Sequence, residues 1–342
     1  MAIFVTALSN IYEVIMKAGK LKESMLKRSV LKQLHIRNES TLQGPAVGGD
    51  YGAVAVDETT AVVLSSEPVT LTRETLGSTA IQAACNDVAC SGAIPKGVSV
   101  TLLLPTMSNE EELKGLMKDL DVACELCGVD ILSGHTEVTR VVKEPLVVVT
   151  AMGVVEKDSR LHSSDVRPGM DIVATKWVGL EGTAILAKEK EAELRERFPQ
   201  PFIDKAKTFS QMMSVIPEAA VAVKSDAGAM HDVSEGGVFG ALWELAESAG
   251  VGLEIDLKKI PIRQETIEIC EYFDLNPYKI LSGGSLLIAT EDGNGLVMEL
   301  EKANIPAVVI GKATDSNDRV LLNEEERRFL ETTQTDELYS IK

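Results

Sequence analysis

The chain has 342 residues and a mass of 36.8 kDa, so two domains or one large α/β domain are expected. Hydrophobic residues make up 45% and charged residues 25% of the sequence, and no run approaches the roughly 20 apolar residues of a membrane helix, which excludes a disordered, collagen-like or membrane-spanning chain. The formal charge of −18 disfavours nucleic acid and anionic lipid as partners because like charges repel.

The basic residues are concentrated at the start of the chain. Residues 1–40 hold seven Lys or Arg and three Glu, a charge of +4, so the other 302 residues carry −22. This segment, the basic arm, has helical composition over 11–34, with an interruption at Ala18-Gly19-Lys20. We treat residues 1–40 as a unit separate from the domains that follow.

Strands and helices alternate after the arm. Beyond a Gly/Pro-rich stretch, Asp57-Glu58-Thr59-Thr60 predicts a hairpin turn between two strands. Ser108-Asn109-Glu110-Glu111 has the spacing of a capping box, which predicts the start of a helix. The predicted strands are 52–56, 61–65, 97–104, 129–133 and 146–155, and the predicted helices are 75–91 and 109–127.

The five cysteines are expected to be reduced thiols in a cytoplasmic protein. Their number is odd, and the start MAIFVTALSN is apolar but has neither a basic region nor a cleavage site. Cys124 and Cys127 form a CxxC pair, but no second pair or nearby histidine completes a zinc site. They continue a helical stripe, which favours core packing over redox or metal chemistry. The stripe comprises Leu113, Leu116, Met117, Leu120, Cys124 and Cys127.

A polar stretch at 156–169, ending in Arg167-Pro168-Gly169, is the expected domain boundary, which gives domains over 41–160 and 161–342. The second domain is predicted to hold strands at 170–175, 251–255, 285–290, 307–310 and 319–322. Its predicted helices are 181–192, 201–213, 216–224, a helix capped by Ser234 and running to about 248, 264–273 and 293–303. Both halves mix strands and helices in similar order, so two α+β domains are favoured over one barrel.

Acids at strand ends and among uncharged residues are the main chemical signal. Asp50 follows Val47-Gly48-Gly49, Glu67 closes the second strand, and Asp87 lies in a helix with an uncharged polar face. Glu137 lies in Ser133-Gly134-His135-Thr136-Glu137 after a strand. Carboxylates from four segments suit Mg²⁺, which takes oxygen ligands and shares them with substrate phosphates. Each acid alone is equally typical of a turn or a cap.

Seven strings occur in an order that resembles the AIR synthase-related (PurM-like) superfamily. They are GPAVGGDYGAVAV, SSEPVT, NDVACSGAIP, VDILSGHTEVT, KWVGLEGTAILA, MHDVSEGG and LSGGSLLIAT. The superfamily includes aminoimidazole ribonucleotide synthase, thiamine-monophosphate kinase, selenophosphate synthetase and the hydrogenase-maturation dehydratase HypE. The resemblance spans about residues 15–325 and is strongest to the HypE-like branch.

The resemblance implies an N-terminal domain whose strands join those of a second subunit in a β-barrel, and a C-terminal α/β domain. It implies a homodimer that binds ATP and Mg²⁺ near this interface and acts on a small molecule. The implied metal acids are Asp50, Glu67, Asp87 and Glu137, with Asn86, Gly134 and Thr136 as further cofactor contacts. Gly19 and Lys20 of the basic arm would fold over the phosphates, which accounts for the charge of the arm. A solvated basic helix is the alternative for its other lysines.

A second motif, His231-Asp232-Val233-Ser234-Glu235-Gly236-Gly237, fits the same reading. Its glycines are predicted to open a helix, whose free N–H groups attract an anion. Ser234, Gly236 and Gly237 are therefore candidate phosphate contacts, and His231 and Asp232 would face the cleft. The alternative is that Asp232 or Ser234 only caps the helix. Lys20, His135, His231 and Asp232 are the candidates for catalytic roles.

The chain departs from the superfamily pattern at three positions. Many relatives carry two adjacent acids where this chain has Gly49-Asp50, and a threonine-threonine-aspartate where it has Ser65-Ser66-Glu67. Several relatives have aspartate at the position of His135, which is neutral or positive near pH 7. These differences leave the number of metal ions open.

The absence of cysteine at two places argues against two activities of the superfamily. HypE carries a carbamoyl group on a C-terminal cysteine, whereas the last cysteine here is Cys270, so cyanide-ligand synthesis by that route is not expected. Selenophosphate synthesis is disfavoured because no cysteine precedes Asp50. The main hypothesis is an ATP- and Mg²⁺-dependent enzyme that phosphorylates or activates an oxygen of an unidentified small molecule. The alternatives are an inactive nucleotide-binding regulator and a phosphotransferase similar to thiamine-monophosphate kinase.

Overall fold

The computed structural model describes residues 18–332 and 335–341. The part of the predicted arm helix over 11–17 therefore lies outside the described residues. From residue 23 the arm is helical in three successive geometries, with an α-helical turn at Glu23–Met25, a π-helical stretch at Leu26–Val30 and a 3-10 turn at Leu31–Gln33. The bend at 18–20 precedes this helical stretch.

The first half of the chain forms one mixed sheet with two helices on one face. The strands are β1 Thr41–Gln43, β2 Gly52–Ala55, β3 Thr60–Val69, β4 Ile94–Pro105, β5 Asp130–Thr139 and β6 Leu146–Glu156, and the helices are α1 Leu76–Cys90 and α2 Glu110–Cys127. The strand order is β1-β2-β3-β6-β4-β5, and neighbouring strands are antiparallel except for β4 and β5. This places β5 at an edge of the sheet.

Alternation along the strands explains why only one face is covered. In β3, Ala61 and Val63 are fully buried, and Val63 packs with residues of α1. The next residue, Leu64, is 44% exposed on the other face. Val149 of β6 points to the buried face, and Val154 is exposed on the open one. A period of two in side-chain direction gives this division.

The second half of the chain forms a sheet with helices on both faces. The strands are β7 Asp171–Thr175, β8 Ala229–Val233, β9 Gly252–Asp256, β10 Ser285–Thr290, β11 Ala307–Thr314, β12 Arg319–Asn323 and β13 Glu326–Phe329. The helices are α3 Leu180–Glu189, α4 Glu191–Leu194, α5 Gln200–Lys207, α6 Ile216–Lys224, α7 Gly237–Ala249, α8 Gln264–Tyr272 and α9 Gly293–Lys302. The strand order is β13-β12-β9-β11-β7-β10-β8, so β8 is an edge strand.

Helices cover this sheet from two sides. Leu242 and Leu245 of α7 pack with Leu253 and Leu287 in one core cluster. Leu286, which neighbours Leu287 in β10, belongs to a second cluster on the opposite face with residues of α6 and α9. Every residue of β8 and β10 is buried, as expected for strands with both faces covered. The predicted two-domain α+β fold with a C-terminal α/β domain is thus confirmed.

The segment between the two sheets carries short 3-10 turns at Lys157–Ser159 and Ser163–Asp165. It contains the predicted boundary, although the exact limits 1–40, 41–160 and 161–342 stay predictions. Among the described residues, no helix combines the length and apolar composition needed to cross a bilayer.

Four local predictions were wrong. The capping box of α2 is formed by Asn109 and Glu112, one residue later than predicted. Met117 is 39% exposed and leaves the buried stripe of α2. Ser133–Glu137 does not follow a strand but lies within β5, which is twice as long as expected. Ser234 makes no side-chain cap, because α7 begins after Gly236. The short strands β1, β8 and β13 were not predicted.

Candidate functional site

A cavity of about 650 Å³ lies between the two domains. Its walls come from the basic arm, the loop before β2, the end of β3, α1, β8, the first turns of α7 and, in the C-terminal segment, Thr332, Thr335 and Asp336. The volume falls within the range of about 300–1,000 Å³ that small-molecule sites occupy. Candidate residues that are far apart in the sequence are therefore in one place.

Asp50 reaches the cavity because the loop before it lies directly on α7. Gly48 has a φ of +67°, and a Cβ atom there would overlap the backbone oxygen of Glu244, so only glycine allows this approach. Asp50 Oδ1 then lies 2.6 Å from His231 Nδ1, with both side chains almost fully buried. The loop of one domain and a strand of the other thus meet in one ion pair.

A line of alternating charges continues from this pair to the basic arm. His231 Nε2 lies 3.3 Å from Glu244 Oε2, and Lys20 Nζ lies 3.3 Å from Glu244 Oε1. The backbone N–H of Lys20 also donates to Glu235 Oε1 at 2.9 Å. The Lys20 side chain is 45% exposed, so its ammonium lies at the mouth of the cavity.

Asp87 and Glu67 are two further acids that line the cavity. Asp87 is 8% exposed, and its Oδ2 accepts a hydrogen bond from Ser65 Oγ at 2.6 Å. Glu67 follows two residues after Ser65 on β3 and also lines the cavity. The uncharged polar face predicted for α1 is not turned to the cavity, because the residues that α1 contributes to the cavity lining are Ala83 and Asp87.

Burial and mutual repulsion disturb the protonation of these acids. Burial and the neighbouring Asp232, Glu67 and Asp50 raise the pKa of Asp87 well above its usual value. Burial and the charge of Asp50 raise the pKa of Asp232 to about 7. Burial also raises the pKa of Glu67, against the attraction of Lys20. A nearby cation would relieve this repulsion.

His231 behaves in the opposite way. Burial alone would lower its pKa, but the ion pairs with Asp50 and Glu244 raise the pKa to about 10. The same pairs act on Glu244, whose pKa falls to about 2 through Lys20 and His231 despite its burial. His231 is therefore an imidazolium at neutral pH, and its ring carries two N–H donors and no free ligand atom.

The residues present fit a hard cation. Ligand atoms of Asp50, His231 and Asp232 lie within 4.8 Å of one another, the only such group among the described residues. Because the imidazolium cannot ligate, the oxygens of Asp50 and Asp232 remain, with Asp87 and Glu67 lining the same cavity. Carboxylate oxygens are the preferred ligands of Mg²⁺ and Ca²⁺.

The N-terminus of α7 has an internal anion. Gly236 N–H donates to Asp336 Oδ2 at 2.8 Å, and Leu338 N–H donates to Asp336 Oδ1 at 3.0 Å. Asp336, rather than Asp232 or Ser234, is thus the capping carboxylate, which the positive end of a helix dipole stabilises. Ser234 and Gly236 still line the cavity, and Gly237 packs against the backbone of Tyr278 and Ile280.

Asn86 points away from the cavity toward a loop of the second domain. Its Nδ2 donates to the backbone oxygen of Met213 at 2.8 Å, and its Oδ1 accepts from Val215 N–H at 2.9 Å. Both polar ends of this amide are therefore engaged between the domains. The cofactor contact predicted for Asn86 stays a prediction that this geometry does not support.

The predicted residues of β5 lie outside the cavity of their own chain. Gly134, His135, Thr136 and Glu137 are exposed along the edge strand, and His135 Nε2 pairs with Glu137 Oε2 at 3.0 Å. Their backbone is tied to β4, where Gly134 pairs with Val100. Gly19 lies beside Glu235 and the ring of Tyr339, at the bend that leads to Lys20.

Several site residues were missed in the sequence. Glu244 has the appearance of a surface acid on an amphipathic helix, and only the approach of Gly48 and His231 gives it a role. Asp336 caps a helix 100 residues away. Trp243 Nε1 donates to Glu23 at 3.0 Å and Lys27 pairs with Glu247 at 2.6 Å, so α7 holds the arm over the cavity. Their acidic or aromatic character alone gave no usable signal.

Family comparisons match most of the chain. The description "AIR synthase related protein, N-terminal domain" matches residues 48–155, and "AIR synthase related protein, C-terminal domain" matches residues 167–322. Asp50, Glu67 and Asp87 lie within the first match, and His231, Asp232 and Glu244 lie within the second. Each match corresponds to one of the two sheets with its helices.

Two curated relatives illustrate the similarity. A putative hydrogenase expression/formation protein of Methanocaldococcus jannaschii is 26% identical over 320 residues, which cover 89% of this chain and 91% of that protein. Carbamoyl dehydratase HypE of Cupriavidus necator is 26% identical over 259 residues, with 73% and 72% covered. The resemblance to the HypE-like branch is thereby confirmed.

Solved structures share the same fold at lower identity. A chain of a HypE–HypF complex has a TM-score of 0.74 at 18% identity and covers 90% of this chain and 99% of its own. A thiamine-monophosphate kinase structure described as AaThiL complexed with AMPPCP and TMP has a TM-score of 0.71 at 20% identity, with 94% and 99% covered. HypE in complex with ATP has a TM-score of 0.69 at 17% identity, with 94% and 97% covered.

Proposed function

The chain belongs to the AIR synthase related protein family, and we propose that it is an ATP- and Mg²⁺-dependent enzyme that phosphorylates or activates an oxygen of a small molecule. One observation carries this proposal: buried carboxylates from both domains share a cavity with Lys20 at its mouth. This arrangement suits a polyphosphate with a bound metal ion, because the metal would bind the carboxylates and the phosphates would be attracted to Lys20.

The acids would hold the metal. Asp50, Asp87, Asp232 and Glu67 supply oxygens from both domains, and the raised pKa values of the last three indicate that the acids repel one another without a cation. A bound Mg²⁺ supplies charge neutralisation on phosphate oxygens. His231 would hold Asp50 in position as a partner that is positively charged at neutral pH.

The basic arm would cover the phosphates. Lys20 Nζ is at the mouth of the cavity, and its present partner Glu244 is also paired with His231. Lys20 can therefore turn to a phosphate without leaving Glu244 unpaired. The contacts of Glu23 and Lys27 with α7 fix the arm at this distance.

The chemistry would rest on positioning and charge neutralisation. None of the five cysteines lines the cavity, so the described residues offer no thiol nucleophile there. Transfer of a γ-phosphoryl group needs aligned oxygens and neutralised charge more than a covalent intermediate. Similar structures hold ATP in one case and AMPPCP with TMP in another, which supports a nucleotide and a second small molecule in this fold.

Direct phosphoryl transfer similar to that of thiamine-monophosphate kinase is the second candidate. A thiamine-monophosphate kinase of Pyrococcus horikoshii is 26% identical over 298 residues and 84% of each chain. A phosphorylated product with ADP release would favour it, whereas a product that has lost phosphate would favour the dehydratase type.

We further propose a homodimer in the cytoplasm. Residues 130–138 of β5 are all exposed, and apolar side chains such as Ile94, Leu64 and Leu132 lie on the uncovered face and edge of the first sheet. An unpaired edge beside an apolar face is a template for another strand, and a second copy with the same edge would close it. Sedimentation should give twice the chain mass, and Leu132→Lys should yield the monomer.

The free thiols of all five cysteines agree with a reducing compartment, as expected for the cytoplasm.

Calorimetry with ATP, ADP and a non-hydrolysable ATP analogue, with and without Mg²⁺, tests the proposed function. We expect binding of ATP and the analogue that requires Mg²⁺. Absence of any Mg²⁺-dependent nucleotide binding would contradict the proposal. Small molecules that bind the protein can be identified by thermal shift and then tested as substrates. If ATP binds but none of them leads to phosphate release, the chain would instead be a regulatory nucleotide-binding protein.

A further inference from the structure

Asn86 connects the two domains at a point next to the cavity, and the proposed function gives it no role. Its side chain is 3% exposed and is not part of the cavity lining. Both ends of its amide bind backbone atoms of residues 212–215, which we call the bridging segment. The next residue of the chain is Asp87, which lines the cavity. A contact that fixes Asn86 therefore also restricts the position of Asp87.

The helix that carries Asn86 packs in the cores of both domains. Ala84 of α1 belongs to a core cluster of the first domain, together with Val149 of β6. Ala89, in the last turn of α1, belongs to a cluster of the second domain, together with Val215 of the bridging segment. Such apolar contacts are non-directional, whereas hydrogen bonds require a defined alignment of donor and acceptor. The amide of Asn86 thus adds a fixed alignment to this contact between the domains.

The second domain holds the bridging segment with a buried ammonium group. Lys176, which follows β7, donates from Nζ to the backbone oxygens of Met212 at 3.0 Å and Ser214 at 2.7 Å. The same Nζ lies 2.6 Å from Glu218 Oε1, so all three donors of the ammonium are used. Gly284 precedes β10, and a Cβ atom there would lie only 2.4 Å from the backbone oxygen of Met212. The bridging segment is thus fixed against the ends of β7 and β10.

The same part of the sheet carries Asp232. β10 pairs with β8, and Leu286, two residues after Gly284, lies opposite Asp232. A short series of contacts therefore runs from Asp87 through Asn86 and the bridging segment to Asp232. The two acids come from different domains and line the same cavity.

We propose that Asn86 is a positioning residue that sets the distance between the carboxylates of Asp87 and Asp232, and so the geometry in which the two domains hold a divalent cation. An amide suits this role because it offers both a donor and an acceptor, whereas an ionised carboxylate offers acceptors only. The link to a cation rests on the proposed function, whereas the contact of Asn86 with the bridging segment does not.

Hydrogen exchange of the Val215 amide tests this contact without metal or nucleotide. In Asn86→Ala this N–H has lost its acceptor, so it should exchange about tenfold faster than in wild type, relative to amides of β12 that report global unfolding. Ser91→Ala is the matched control, because the buried Ser91 hydroxyl binds only Val88 and Ala93 beside the end of α1. It should leave the exchange of Val215 unchanged. An unchanged rate in Asn86→Ala would overturn the role of Asn86 in holding the bridging segment.

Electron paramagnetic resonance with Mn²⁺ alone as the probe tests the positioning role. Asn86→Ala should bind Mn²⁺ about tenfold more weakly than wild type, as is typical when a residue that orients metal ligands is lost. Ser91→Ala should bind Mn²⁺ as wild type does, although it also loses buried hydrogen bonds. Asn86→Asp should weaken Mn²⁺ binding by a smaller factor than Asn86→Ala, because it keeps the acceptor for Val215 and adds a charge that attracts the cation.

The outcomes separate this role from the others. Wild-type affinity for Mn²⁺ in Asn86→Ala, or an equal loss in Ser91→Ala, would overturn the positioning role. Tighter binding by Asn86→Asp than by wild type would overturn it too, because residue 86 would then supply a ligand atom. A wild type that binds no Mn²⁺ would overturn the proposed metal site and the positioning role with it, whereas the exchange of Val215 would still decide the contact of Asn86 with the bridging segment.

Discussion

The cavity and the edge strand β5 both contain a histidine beside acids, yet the structure treats them differently. His231 is 4% exposed and lies between Asp50 and Glu244, with elements of both domains around it. The His135 side chain is 64% exposed and pairs with Glu137 on its own strand. The same residue types thus form a strongly perturbed cluster in one place and a weak surface pair in the other, because burial decides how strongly charges interact.

The largest expected difference between the two regions is in how their histidines affect the pH dependence of the free energy of unfolding. Because the pKa of His231 is raised to about 10 from an ordinary 6.5, its contribution to stability is complete below pH 6.5 and is lost as the pH rises toward 10. The free energy of unfolding of wild type should fall by about 3 kcal/mol between pH 7 and pH 10 for this reason. Urea denaturation should show that His231→Gln flattens this fall and His135→Gln does not. Equal slopes in all three proteins would remove the distinction between the regions.

Loss of one cavity carboxylate should be the next largest effect. Asp232→Asn should weaken Mg²⁺·ATP binding by about 30- to 100-fold, because one charge-assisted contact to the metal is removed. Asp226→Asn is a matched control, since Asp226 is exposed with a φ of +54°, a conformation that asparagine tolerates. Calorimetry with both variants decides the point: losses of similar size would show that Asp232 acts through general charge rather than through the site.

A smaller effect is expected at the mouth of the cavity. Lys20→Ala should weaken ATP binding by about tenfold and AMP binding by less than about twofold, because the ammonium would reach the outer phosphates only. Lys32→Ala serves as control, since Lys32 is an exposed arm residue that does not line the cavity. Equal weakening of ATP and AMP by Lys20→Ala would mean that the arm does not cover the β and γ phosphates.

The smallest effect is expected on β5. Glu137→Gln should change Mg²⁺·ATP binding by less than about twofold, because Glu137 is exposed outside the cavity and surface pairs contribute little. Titration calorimetry of this variant tests the metal role that the family resemblance implies for Glu137. A loss as large as that of Asp232→Asn would show that β5 of a second copy completes the site.

Most of the fold was predictable because its long elements have clear periods. The bounds of α1, α2, α9 and β10 follow from apolar spacing and agree with the structure within one or two residues. The strand β8 was missed because two of its five residues are His231 and Asp232, and charged residues in a fully buried strand contradict the usual pattern. For His231, the ion pairs with Asp50 and Glu244 offset the cost of that burial.

The candidate site was predictable where acids stand in glycine-rich or uncharged surroundings. Asp50, Glu67, Asp87 and Glu137 were selected in this way, and the first three line the cavity whereas Glu137 does not. Asp232 was selected as a catalytic candidate from the motif before a predicted helix, and it also lines the cavity. Glu244 and Asp336 were not selected, because their roles depend on contacts with distant parts of the chain. Glu244 contacts the loop that contains Gly48, and Asp336 accepts a hydrogen bond from Gly236, 100 residues away. A single sequence does not encode such pairing in any local pattern.

The most direct test of the carboxylate cluster as a cation site is the stability of Asp87→Asn with and without ligand at pH 7. Since burial and like charges raise the pKa of Asp87, its ionised form destabilises the ligand-free fold. In EDTA, Asp87→Asn should unfold at a higher urea concentration than wild type, and with Mg²⁺ and a non-hydrolysable ATP analogue at a lower one. A variant that is less stable than wild type under both conditions would contradict the account, because Asp87 would then be a structural acid rather than a ligand for a cation.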